Sequence, residues 1–480
     1  MAKKKDNSHF HHHGPPVTRR DFLSRGLMSI STVAMAPSVL GLASLASSKA
    51  RAESCAPSGW APGAIPYLVF DLPGGAALQG NFLVGGKGGA EDLLPSYSDL
   101  GWDPRAAGAI DKRFGLPMAA NASKIFQGII EKASPEAQAN LKMASICHQS
   151  QADSSLNANS ALLLVTRAGA FGSQFAAGLG TTNSFSGSNT SGPYADPAIK
   201  PLHITRYEDL AGALAFGNAF SQGAGYQISD KLLGSVMKAI TSMSAEQSAK
   251  LASMNLGDQF KTLFNCGLQK NVTLTAPSSV NLDPRKSPEM CAAFGITTNS
   301  NSGDLNVVMA TIVYNALKGN TGPGAIAGFG GGGYDYHSND HVSADNADLA
   351  AGRAIGMAVE AAYRLNQAFM FQIVSDGGVR GPGGGSRDWN GDTNDSMTII
   401  GYYNPKGVSF RSQVVQLGNY TAGQGADGST DLGGSTARVG FAVLANYLNA
   451  IGKFGDFRKY VNESELPTPG GGLDSFLLFA

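Results

Sequence analysis

The chain has 480 residues, 36 basic and 36 acidic side chains, and only 15% charged residues. That length fills two to three ordinary domains or one large α/β unit. The balanced charge does not suggest a nucleic-acid binder, which would need a basic face to recover phosphate binding energy. Nothing after residue 52 approaches the ~18 consecutive apolar residues of a membrane span.

The chain opens with Lys3, Lys4 and Lys5, followed by Thr18-Arg19-Arg20-Asp21-Phe22-Leu23. Gly26 to Ala46 is weakly apolar and rich in Ser, Gly and Ala, and Ala50-Arg51-Ala52 has the A-x-A form of a cleavage site. This order of parts predicts an export signal over residues 1–52, with the twin-arginine translocase as partner. The mature chain, 53–480, is then expected in the periplasm or outside the cell. The signal holds eight basic and two acidic residues, so the mature part carries a net charge of −6. Substrates of that pathway cross folded, often with a prosthetic group already loaded.

Four cysteines are present: Cys55, Cys147, Cys266 and Cys291. An oxidising destination allows up to two disulfides in any of three pairings. Cys266 with Cys291 is the first choice, because the two bracket a Pro- and Asn-containing stretch. None forms a C-x-x-C, which argues against zinc or thioredoxin-like chemistry at these residues.

Tyr67 to Phe70, Ala161 to Val165, Val307 to Val313, Met370 to Val374 and Met397 to Tyr403 all read as buried strands. Between the last three, Ala347 to Leu365 sets Leu349, Ile355, Val359 and Leu365 on one helical face. Strands alternating with helices predict a doubly wound, mostly parallel α/β sheet flanked by helices, with ligands at its carboxyl edge. Gly178 to Pro193 reads as a polar surface loop and Tyr207 to Leu268 as mainly helical. Residues 178–305 are therefore expected to form a largely helical insertion. The apolar tail Phe476-Leu477-Leu478-Phe479 should dock on the core.

Two of the four mature histidines fall in Gly333-Tyr334-Asp335-Tyr336-His337-Ser338-Asn339-Asp340-His341, directly after a glycine run. Asp335, His337, Asp340 and His341 place two imidazoles and two carboxylates within seven residues. Such donors suit a divalent metal, or a carboxylate that fixes an imidazole tautomer. A polar loop whose Asp340 or Ser343 caps the following helix is the plainer reading. Asp376, after the run ending at Val374, and Asp71, after Tyr67 to Phe70, sit where a strand-end ligand is expected. Either also suits a turn. Asp388 to Asp395 alternates oxygen side chains but lacks the closing glutamate of a calcium loop, leaving a looser cation loop or a solvated turn segment. Ser154 and Ser155, with His148 nearby, are the hydroxyls best placed for a nucleophile.

Certain stretches resemble a family of exported bacterial proteins with twin-arginine signals, distant relatives of alkaline phosphatases and sulfatases. They are the early strand with Gly74-Gly75, Phe114-Gly115-Leu116-Pro117, the glycine-led Gly333 to Asn339, and Ser375-Asp376-Gly377-Gly378-Val379-Arg380 with its glycine-rich sequel. The resemblance runs over the mature chain and implies an alkaline-phosphatase-like fold. It further implies Asp335, His337 and Asp376 as ligands of a divalent metal (Zn, Mn, Mg or Ca), with Arg380 near the anion of a small ester. Two departures stand out. Ala76 to Gly80 contains no acidic residue, and Gly391 to Ser396 contains no histidine. Asp71, Asp392 or Asp395 would have to stand in. Two functions follow: a metal-dependent hydrolase of phosphate or sulfate esters, or a non-catalytic exported binding protein with a degenerate metal site.

Overall fold

The computed structural model describes residues 64–95, 97, 103–149, 160–174, 178–181, 201–214, 280–331, 334, 341–375, 378–380, 390–393, 395–423, 425–430, 432, 436–461 and 472–480. The export segment 1–52, Ser154, Asp335, His337, Asp340, Asp376 and Cys266 lie outside these residues.

The centre of the molecule is an eight-stranded sheet. Its strands in chain order are β1 (Tyr67–Leu72), then, past a two-stranded pair β2 (Ile110–Asp111) and β3 (Met118–Ala119), β4 (Leu141–Gln149), β5 (Leu179–Thr181), β6 (Leu202–Ile204), β7 (Gly324–Ile326) and β8 (Phe369–Ser375). A hairpin of β9 (Gly378–Arg380) and β10 (Asn390–Thr393) precedes the last two, β11 (Asp395–Tyr403) and β12 (Gln416–Leu417). The spatial order is β12-β4-β11-β8-β1-β7-β5-β6. Only β11 runs antiparallel to its neighbours, β4 and β8; the other pairings are parallel. All residues of β1 and β8 are buried, as expected of central strands covered on both sides.

The helices in chain order are α1 (Lys124–Lys132), α2 (Pro135–Ala139), α3 (Leu162–Arg167), α4 (Tyr207–Leu214), α5 (Pro288–Phe294), α6 (Leu305–Leu317), α7 (His341–Arg364) and α8 (Thr436–Ala450). Two apolar clusters divide the core. One joins Leu68, Phe70, Leu72, Phe371 and Ile373 to α1, α5, α6 and α7; this is the first face. The other joins Tyr67, Val69, Met370 and Val374 to α3, α8 and the C-terminal tail; this is the second face. The architecture is thus α/β, with a large, mostly parallel mixed sheet flanked by helices.

Strands β1, β8 and β11, helix α7 and the docked tail match expectation; Phe476 to Phe479 are all buried. Three expectations need correction. Val307 to Val313 lies in α6 and Ala161 to Val165 overlaps α3, where each was expected as a strand. Neither run has a polar stripe, so no helical period shows in the sequence, and short apolar runs do not by themselves separate strand from helix. Their internal polar groups bond back along the helix: Thr311 Oγ1 donates to Val307 O, and Thr166 Oγ1 to Leu162 O, each at 2.8 Å. Residues 178–305 are also not simply an insertion, because β5 and β6 within them form one edge of the sheet.

The first face is built on unusually close helix contact. A β-carbon on Gly352 of α7 would lie 2.2 Å from Ile125 O, and one on Gly128 of α1 would lie 2.5 Å from Leu349 O. A helical glycine costs about 1 kcal/mol relative to alanine. Here it lets the two backbones touch.

Candidate functional site

Three adjacent strands, β8, β1 and β7, end along one edge of the sheet and feed the connections that carry the candidate residues. In β1, Asp71 pairs with Val374 and Leu72 with Ser375. The chain then turns at Gly74 and Gly75, whose φ values of 100° and 94° favour glycine. Ser375 Oγ accepts the Ala76 N–H at 2.9 Å, and Ala76 forms a parallel bridge with Gly378. The turn after β1 is thereby stitched to the β8–β9 connection, which contains Asp376.

Asp71 is fully buried. Strand alternation places it with Tyr67 and Val69, on the second face. Ser375 alternates to the first face, with Phe371 and Ile373. Arg380 belongs to β9, opposite Asn390 of β10. The connection from β7 leads to His341, the half-buried first residue of α7. Asp71, Arg380 and His341 therefore belong to one sheet edge, but Asp71 and α7 lie on opposite faces.

Sequence reading missed the polar clamp beside this edge. Asn81 follows a short 3-10 turn, Leu78–Gly80. Its Nδ2 donates to Asp348 Oδ2 at 2.7 Å. Its Oδ1 accepts Ser123 Oγ at 2.9 Å and Ile125 N at 3.1 Å. Asn81, Ser123 and Asp348 are all buried. One amide thus ties the β1 turn, the start of α1 and the second turn of α7 together. A signal was there: Asp348 shares a helical stripe with Ala344, Ala351 and Ile355, a place where an unpaired carboxylate would be costly.

His148, considered beside Ser154, has a different role. It is buried in β4, with Nδ1 3.1 Å from Gln149 O and Nε2 3.1 Å from Thr398 Oγ1. Carbonyl oxygen only accepts, so Nδ1 carries the proton and Nε2 accepts from the threonine hydroxyl. Burial depresses its pKa to about 4, partly offset by the Gln149 carbonyl. The imidazole is therefore neutral, with both nitrogens engaged.

The stretch read as a cation loop or turn segment is strand β10 over Asn390–Thr393, and Asp395 pairs with Gln149 at the start of β11. Cys291 Sγ lies 3.3 Å from Arg285 O as a free thiol. The expected pairing with Cys266 falls on an undescribed residue. Among the described residues, no three His, Cys, Asp or Glu side chains form a metal-holding group, and no helix is long and apolar enough to cross a membrane.

No family model, no curated protein and no solved structure matches the chain.

Proposed function

We propose that the chain is an exported, metal-dependent hydrolase of phosphate or sulfate esters, built on an alkaline-phosphatase-like version of the α/β fold. The observation that carries this reading is the shared edge of β8, β1 and β7. Asp71 lies one residue before the end of β1, Ser375 leads into Asp376 after β8, and Arg380 follows in β9. In sequence the β7–α7 connection holds Asp335, His337 and Asp340, with His341 opening α7. In parallel α/β sheets this edge is where ligands bind.

The donor set is carboxylate and imidazole, which suits a divalent cation such as Zn, Mn, Mg or Ca. Asp71, Asp335, His337, Asp340, His341 and Asp376 are the residues proposed to hold it. The cation would supply electrophilic polarisation of the ester oxygen. Arg380 is proposed to bind the substrate anion in the bidentate geometry open to guanidinium. Ser154, in the segment between β4 and α3, is the proposed nucleophile. Residues 1–52 are proposed to route the folded chain through the twin-arginine translocase.

A second reading, a non-catalytic exported binding protein, is favoured by one observation. Gly391 to Ser396 contains no histidine, and its Gly391 to Thr393 are strand rather than loop.

Elemental analysis of the purified mature chain, followed by assay on phosphate and sulfate esters, separates the readings. Hydrolysis predicts at least one tightly held metal and turnover. His337→Ala and Asp71→Asn should release the metal and lower turnover by orders of magnitude. Metal without turnover would favour the binding protein. A metal-free wild type, indifferent to chelator, would sink the site. Arg19→Lys with Arg20→Lys should leave full-length precursor in the cytoplasm; normal export would sink the routing.

A further inference from the structure

A cavity of about 790 Å³ lies on the first face, between α1, α5, α6, α7 and the loop after β7. We propose that it binds a small amphipathic organic anion, with an apolar body in the cavity and one carboxylate or sulfonate at Arg353.

Small residues hollow the space. Ala292, Gly295, Gly330 and Ala350 line it where larger side chains would fill it. Buried Phe294, Met309, Phe329 and Met357 supply its apolar lining. These side chains present small apolar surfaces between the polar stretches of the lining given by Glu131, Lys132, Asn306, Asn346 and Arg353. The volume falls in the range of small-molecule sites, which bury an apolar body and orient it with a few polar groups.

The charge at the lining is unbalanced. Glu131 is shared by two cations: Arg353 Nε at 2.7 Å from Oε2 and Lys132 Nζ at 3.0 Å from Oε1. Two positive charges against one negative leave a net positive site. Arg353 donates only through Nε among the described residues, so the terminal nitrogens of its guanidinium are available to a planar anion. Charge complementarity thus selects an anion, and the apolar patches of Phe294, Met309, Phe329 and Met357 offer contact for its body.

The test uses two fluorescent probes with the same ring system, titrated into the folded full mature chain. One is 8-anilinonaphthalene-1-sulfonate, and the other is N-phenyl-1-naphthylamine, which lacks the sulfonate. We expect saturable binding of one sulfonate probe per chain. Arg353→Gln should weaken that probe about fivefold, the upper range for a half-exposed ion pair, and leave the neutral probe unchanged. Ala350→Trp should abolish binding of both. If Ala350→Trp does not fold, Ala292→Trp at the rim replaces it, with far-UV dichroism as the check on folding. No saturable binding, equal loss of both probes in Arg353→Gln, or full binding in the folded tryptophan variant would each overturn the proposal.

Discussion

The two faces of the sheet handle their polar groups differently. On the first face several buried polar atoms tie helices and turns together. Asn81 joins Asp348 to Ser123, and Glu360 Oε2 accepts from Ser134 N at 2.8 Å and from its hydroxyl at 2.7 Å while Oε1 accepts from Arg364. On the second face several sit on the sheet itself. Tyr67 donates to Gln372 Oε1 at 2.7 Å, Ala161 N donates to the same oxygen at 3.0 Å, and His148 pairs with Thr398. Asp71 completes that set at the strand end. Clamps between helices fix where whole elements lie. Polar side chains on strands offer chemistry at positions the sheet holds rigid. The first face positions whole elements; the second carries Asp71 near its carboxyl edge.

The sharpest way to break the first face is Gly352→Val. The new β-carbon would meet Ile125 O at 2.2 Å and Ile125 C and Cα at 2.8 Å. All three are backbone, so no side-chain rotation relieves the clash and α1 must move off α7. Overpacking usually costs 1–3 kcal/mol; an all-backbone clash should exceed that, at roughly 4 kcal/mol. Urea unfolding of the purified variant measures it. A loss below about 1 kcal/mol would show that the helices part easily, and the contrast in rigidity would fail.

The matching break on the second face is Phe479→Ala. Phe479 is fully buried, stacks on Phe410 with centroids 5.6 Å apart, and meets Tyr402 edge-on at 5.8 Å. Asn446 of α8 holds the same tail, donating to Phe476 O at 2.7 Å and accepting Leu478 N at 2.8 Å. Truncating the ring should cost about 3 kcal/mol, the lower end for such a change. A near-neutral result would mean the tail contributes little to this face.

These two variants mark how far the sequence could be read. The tail was legible because four apolar residues in a row have no reason to stay in water. The central strands were legible because short apolar runs ended in Asp or Ser-Asp at β1 and β8. Asp71 was singled out by that rule alone; it lies inside β1, fully buried, one residue before the strand ends. The contacts of Gly352 and Gly128 were not legible. Each glycine is isolated, and only the crossing helix explains it. The α6 run failed for another reason: with no polar side, its period was invisible, and the choice of helix rests on tertiary packing. Edge strands β5 and β6 have three residues each, too few to carry an alternation.

Asn81→Ala tests the clamp of the first face by removing four hydrogen-bonding positions at once. It leaves Ile125 N without its Asn81 acceptor and takes a donor from the buried Asp348 carboxylate. We expect a loss of about 2 kcal/mol, within the range for orphaned buried groups. Double-mutant cycles with Asp348→Ala should show coupling between the pair, as expected for partners in one network. Additive losses would mean that Asn81 acts only through α1.

The smallest effect distinguishes the second face by pH. His148 has its folded pKa depressed to about 4, chiefly by burial. The unfolded imidazole binds a proton near pH 6.5, whereas the folded one stays neutral until about pH 4. Above pH 6.5 both states are neutral and stability is at its full value. As pH falls through that point the unfolded state gains a proton first, so stability declines across the window from 6.5 to about 4. Between pH 7 and pH 5.5 the linkage amounts to about 1 kcal/mol, integrated from that pair of pKa values. His148→Gln supplies polar groups for Gln149 O and Thr398 without a titrating ring. Its stability, once compared with wild type at pH 7, should decline less over the same interval. Equal slopes for the two proteins would show that the His148–Thr398 pair opens to protons before the chain unfolds, and that the polar groups of the second face are less rigidly held than the clamps of the first.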